Sequence, residues 1–255
     1  MPLTAAQICT LAQQDARCPG FSIQAGQLLN MILQDLCQTF DFAVTKQTFQ
    51  FNFATSQLNS LGQAYQNLPA NYLRGIRNEC FYVIDGVPYP MIPYDQEEGD
   101  MLVEQAGLSN FPVAFWTDMS LSGVTNSPTG SGGSAVPVAL FWMPPSGSYP
   151  CTIRYHSLMA DIATPQTSNT IPWFPNQSYL RRRLAGELML QTDDERASQF
   201  LGDDEDKTPQ GAGVMLRKYL TLQGDKSNRV QTVKLDRRAF GSRWEKLPNT
   251  KQIGW

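Results

Sequence analysis

The hydrophobic period of the chain changes twice, and the two changes divide it. Thr4 followed by Gln7 spells a capping box, and Ile8, Leu11 and Ala12 continue one helical face until Cys18-Pro19-Gly20 ends it. A second helix starts at once, with Ser22 placed to cap it. Ala25, Leu28, Leu29, Ile32, Leu33, Leu36 and Phe40 then recur at the three-and-four spacing of a buried face. So short a connection predicts that the two helices pack as an antiparallel hairpin.

Beyond residue 45 the period falls to two. Phe49, Phe51 and Phe53 alternate with Gln50 and Asn52, which puts three rings on one side of a strand and predicts a half-buried sheet face. Phe81 to Ile84, Asp85-Gly86 and Val87 to Ile92 form a hairpin signal, because Asp-Gly suits a type I′ turn. Pro88, Pro90 and Pro93 have no N–H for a ladder, so the second arm is predicted to be an edge strand or to leave the sheet early. Asp95 with Glu98 predicts a short helix to about Ala106. Strands are expected near Pro112 to Ser120, Val136 to Met143 and Cys151 to Leu158, with the Gly/Ser/Thr-rich stretch from Val124 to Ser134 as a loop tip.

Helical spacing returns after Ile171-Pro172-Trp173-Phe174-Pro175. Asn176 caps a helix bearing Leu180, Leu184, Ala185 and Leu188; Asp193 to Leu201 reads as a short helix, and Val214, Met215, Tyr219 and Leu222 give a last one ending at Gly224. The order predicts an α+β chain. A helical bundle (residues 1–45 and 172–224) carries an inserted antiparallel β-rich domain (46–171), the first and last helical faces packing together. An extended arm (225–255) follows. Its aromatic and aliphatic residues are too many for a solvated linker and too irregular for an amphipathic helix.

Charge sharpens the picture of that arm. It holds eight basic residues against three acids, which leaves twelve basic and twenty acidic residues for positions 1–224. An acidic body with a basic arm suggests self-assembly or docking onto an acidic protein rather than wholesale binding of nucleic acid. Ordering 31 residues costs on the order of 30 to 60 kcal/mol in backbone entropy, so the arm needs a partner surface along its length. The five cysteines form no C-x-x-C pair and predict small buried hydrophobes in a reducing compartment. Met1 to Thr10 shows no signal-peptide pattern and no apolar run reaches membrane-spanning length, so synthesis and assembly in a cytoplasm are expected, without direct membrane binding.

Catalytic templates fail by counting. The single histidine, His156, sits among strand residues, and there is neither a G-x-S-x-G elbow nor a G-x-x-x-x-G-K-[ST] loop. Asp204, Asp206 and Thr208 imitate the start of a calcium loop, but Pro209 stands where the turn needs glycine. No enzymatic activity, metal or cofactor is expected. Arg181, Arg182 and Arg183, near a helix start where basic groups oppose the dipole, are either a solvated or inter-subunit face or a phosphate-contacting patch.

Four stretches carry a resemblance over essentially the full length and in the same order: CPGFSIQAGQLLNMILQDLCQTFDF, YVIDGVPYPMIPYD, IPWFPNQSYLRRRLAGELM and DKSNRVQTVKLDRRAFGSRWEKLPNTKQIGW. Together they resemble the head-to-tail adaptor proteins of short-tailed bacteriophages, the head-completion or tail tubular A-like connectors. The resemblance implies a structural virion protein of the neck, assembled as a dodecameric ring below the portal protein. The far side would meet the tail nozzle or tube, and genomic DNA would pass through the channel without sequence-specific contact. It also implies that the arm embraces the portal, through Arg237, Arg238, Phe240, Arg243, Trp244, Ile253 and Trp255. Two other classes stay open at this point. One is a host-surface carbohydrate-binding or hydrolytic virion component, which exposed aromatics in the β block would favour; the other is a basic-tailed nucleic-acid binder, whose affinity would fall with salt.

Overall fold

The computed structural model describes residues 2–54, 58, 64–95, 99, 111–118 and 137–224. The fold is α+β. The described residues divide into two compact units, one drawn from residues 2–32 and 162–224 and the other from the intervening stretch 33–161.

In the first unit, α1 (Ala5–Ala16) begins at Thr4, whose side chain accepts from the Gln7 N–H while the Gln7 side chain accepts from the Thr4 N–H. The Ala5 and Ala6 N–H groups, which have no partner inside the helix, donate to the carbonyls of Thr170 and Ser168 at 2.8 and 3.1 Å. Arg17 stops the helix in the left-handed conformation (φ 55°). Helix α2 (Ser22–Thr39) contains Ser22 as its first residue rather than as its cap, because the Phe21 carbonyl accepts the first helical bond, from Ala25. The predicted hairpin of these two helices does not form: α1 packs chiefly along α3 (Gln177–Gln191). Helix α2 is instead joined to the later chain through a polar residue, Asn30 holding both the N–H and the carbonyl of Ile162 as a strand neighbour would.

Helix α3 is the hub of this unit. Asn176 caps it by accepting from the Tyr179 N–H at 3.1 Å. Its buried residues, among them Leu180, Leu184, Ala185, Leu188 and Met189, spread around the cylinder because α1 lies on one side while α4 (Ala197–Leu201) and α5 (Ala212–Gly224) also pack on it. Phe174, wholly buried, meets the rings of Trp173, Tyr179 and Tyr219 edge-on at 5.1 to 5.8 Å. Gly211, just before α5, is required by close approach: a Cβ there would lie 2.0 Å from the Gly202 carbonyl oxygen.

The second unit is a two-sheet sandwich. One sheet has the order β1 (Lys46–Asn52), β8 (Pro150–Ser157), β3 (Tyr72–Ile84), β4 (Val87–Pro90), antiparallel throughout. The other has the order β2 (Ala64–Asn67), β7 (Val138–Trp142), β6 (Ala114–Asp118), β5 (Ile92–Pro93), and its β5–β6 pair is parallel. The Asp85-Gly86 turn takes positive φ at both residues (50° and 80°), as a type I′ turn demands. The prolines then act in both predicted ways: β4 is the sheet edge, and the chain leaves at Met91 to join the second sheet. Phe53, Tyr82, Phe115, Phe141 and Ile153 fill the space between the sheets, and Phe49 and Phe51 sit half-buried at its rim. Trp116, Val138 and Leu140 form a smaller core on the other face of the second sheet. That explains why β7 reads as an unbroken apolar run. The predicted helix of residues 95–106 lies largely outside the described residues, although Gly99 is helical and its N–H donates to Asp95.

Candidate functional site

The seven predicted portal contacts, Arg237, Arg238, Phe240, Arg243, Trp244, Ile253 and Trp255, lie outside the described residues, as does the stretch 123–134. The described body shows what its own polar groups are committed to. His156 is buried on β8, its Nδ1 2.8 Å from the Thr45 hydroxyl and its Nε2 3.5 Å from Asp41. The order Asp, His, hydroxyl imitates a nucleophilic triad. Burial decides against that use: Thr45 is 0% exposed, so no substrate reaches its oxygen.

The cluster is a junction instead. Thr45 Oγ1 lies 2.9 Å from the Phe42 carbonyl, Ser157 donates to the Thr45 carbonyl, and Cys37 donates to the Ser157 carbonyl. Arg74 binds Asp41 through Nε at 2.8 Å and also reaches the Gln38 carbonyl. Strand register places Lys46, His156 and Arg74 in one row across β1, β8 and β3. The end of α2 is thereby pinned to the sheet that follows it.

The arginine triplet is likewise spent within its unit. Arg181 makes a bidentate pair with Asp15, both bonds 2.7 Å, joining α3 to α1. That bond raises the already high pKa of Arg181 further. Arg182 lies 4.1 Å from the centre of the Phe200 ring and donates to the Gln210 carbonyl, and Arg183 pairs with Glu187 one turn on. Three guanidinium groups pointed at three different partners do not make a phosphate site. Further along, Arg196 holds the Asp194 carboxyl down to about 2 through its side chain and then its own N–H.

All five cysteines are free and buried. Burial pushes the Cys9 thiol up to about 11 and Cys80 well above the usual thiol range, which suppresses the reactive thiolate. Among the described residues no group of histidine, cysteine and acidic side chains could hold a metal ion, and no helix is long and apolar enough to cross a membrane. The aromatics of the β block are largely interior: Phe53, Tyr72, Tyr82, Phe115, Trp116, Phe141 and Tyr155 are all buried, whereas Tyr89 and Phe111 are exposed.

A sandwich inserted along the chain of a helical unit, with His156, Arg74 and Arg181 engaged in holding elements together, has the features of a structural assembly protein. The chain belongs to the SU10 adaptor protein family, whose model matches residues 3–229. It is a phage adaptor protein and a component of the virion. No curated protein matches the chain. The family match stops at residue 229, before the first of the predicted portal contacts.

Proposed function

We propose that this adaptor forms a dodecameric ring in the neck of a short-tailed phage, between the portal and the tail nozzle or tube, and that DNA passes through its channel. The family match over residues 3–229 carries this reading. The charge division supports it, because twenty acids against twelve basic residues in positions 1–224 suit a conduit that DNA slides through without adhering. The buried aromatics of the sandwich favour the adaptor over a carbohydrate-binding component, which would present such rings to its ligand.

In this reading the arm of residues 225–255 clamps the portal, and the cost of ordering its portal-contacting part, Arg237 to Trp255, is recovered there. The isolated protein is then monomeric or weakly associated, and closed rings form when portal is supplied. Light scattering on the protein alone, on the portal alone and on the mixture tests it. The expected result is a discrete rise to a ring-on-portal mass, and an unchanged sum of the two components would sink the proposal.

A further inference from the structure

Among the described residues the sandwich has four sheet edges, and three are protected. Strand β4 carries Pro88 and Pro90, β5 is two residues long and includes Pro93, and β2 has only four residues. Short strands and prolines are the usual means of keeping an edge from pairing with another chain. Strand β1 has neither. It is seven residues long, without proline, and its one charged residue is Lys46 at its start.

The direction of its free groups follows from one hydrogen bond. The Phe53 N–H donates to the Tyr149 carbonyl at 2.9 Å, and the β1–β8 register runs unbroken from Lys46↔His156 to Asn52↔Pro150. In an antiparallel strand, alternate residues aim their N–H and C=O groups at opposite edges. Gln47, Phe49 and Phe51 therefore face β8, and Thr48, Gln50 and Asn52 present their backbone groups to the other side. Among the described residues no strand takes them. On the same edge Phe49 and Phe51 are only half-buried and stack on each other at 5.4 Å, leaving ring surface at the rim of the core.

The sequence offers an occupant. Between the last described residue, Gly224, and Trp255, the stretch Arg229 to Leu235 (RVQTVKL) has neither glycine nor proline and holds three β-branched residues, Val230, Thr232 and Val233. Val233 and Leu235 repeat the period-two apolar spacing of Phe49 and Phe51, and Thr232 and Lys234 alternate with them as the polar Thr48 and Gln50 do. We propose that residues 229–235 of a second copy add to the open edge of β1 as a further strand. The backbone would supply affinity, and Val233 and Leu235 would cover the two rings. Each copy then gives one strand and accepts one, a head-to-tail contact that can close into a ring. The inference rests on the ring reading, and it leaves residues 237–255 for the portal.

The test uses the full chain without portal, by amide hydrogen exchange on residues 46–52 across a range of protein concentration, with sedimentation of the same samples. Slower exchange of the Thr48, Gln50 and Asn52 amides is expected as concentration rises, together with self-association. Gln50→Pro removes one outward N–H, and Thr232→Pro with Val233→Pro removes a donor whichever way the added strand faces. Each change should weaken self-association at least tenfold, with circular dichroism confirming the fold. The tail variant alters no described residue. Mixing the two variants should give one-to-one pairs that do not extend, since one keeps the strand and the other keeps the edge. Exchange at β1 that ignores concentration, whether fast or protected by the chain's own segment, overturns the proposal, as does protection that appears only when portal is added. Loss of portal docking with β1 pairing intact would count against the ring-on-portal reading alone.

Discussion

At the scale of single residues, the side chains that matter most are those whose neighbours cannot rearrange. Phe174 is fully buried inside three aromatic rings contributed by its own loop, α3 and α5. Phe174→Ala should cost about 3 to 5 kcal/mol, the range for a large ring leaving a cavity in a packed core, read as a lowered urea midpoint. Asp194 gives a pH-dependent case. Arg196 lowers its folded pKa to about 2, beneath an ordinary value near 4. A depressed carboxylate contributes stability that is complete above its unfolded pKa and disappears as pH falls through its folded one. The melting temperature of Asp194→Asn should therefore lie below that of the native protein at pH 7, and the gap should close between about pH 4 and about pH 2.

At the scale of elements, the contact between α1 and α3 joins segments far apart in sequence, and the bidentate Arg181–Asp15 pair fixes their relative position. Both side chains keep some exposure, at 40% and 20%, so solvent screens them. A double-mutant cycle of Arg181→Ala and Asp15→Ala should return a coupling of about 1 kcal/mol, at the upper end for such pairs. A coupling indistinguishable from zero would leave α1 held by its apolar face alone. The hairpin at Asp85-Gly86 shows the opposite case, an element set almost entirely by its own residues. Positive φ at two adjacent positions is a local requirement that Asp-Gly meets without help from the rest of the chain.

At the scale of the molecule, the proposed division of labour places folding in residues 1–224 and portal docking in the segment beyond them. Truncation after Gly224 should leave the circular dichroism spectrum of the body intact and abolish co-sedimentation with the portal. Within the segment, Phe240→Ala, Trp244→Ala and Trp255→Ala should each weaken docking by roughly 2 kcal/mol or more, as anchored aromatics do. Neutralising Arg237, Arg238 or Arg243 should act more on the salt-dependent association rate. Undiminished docking of the truncated protein would move the portal contact onto the helical body.

The sequence alone determined what depends on neighbours along the chain. Thr4 with Gln7, Asn176 ahead of Leu180, the alternation through Phe53 and the Asp-Gly turn each satisfy local hydrogen-bonding or dihedral requirements, and the structure has each of them in place. The family resemblance, too, was legible in order and motif, and the match over residues 3–229 supports an adaptor. Strand β2 and the first half of β3 were not legible, because a four-residue strand and a bulged one carry too little periodicity to stand out. Tertiary structure decided which elements meet. It set α1 against α3 instead of α2, because α3 offers buried apolar surface on several sides whereas α2 is joined through Asn30 to the chain at Ile162. It also turned three adjacent arginines toward three separate partners, and enclosed the one histidine with Thr45. Spacing in sequence cannot show such outcomes, since they depend on which distant carboxylate, ring or carbonyl the fold brings within about 3 to 4 Å.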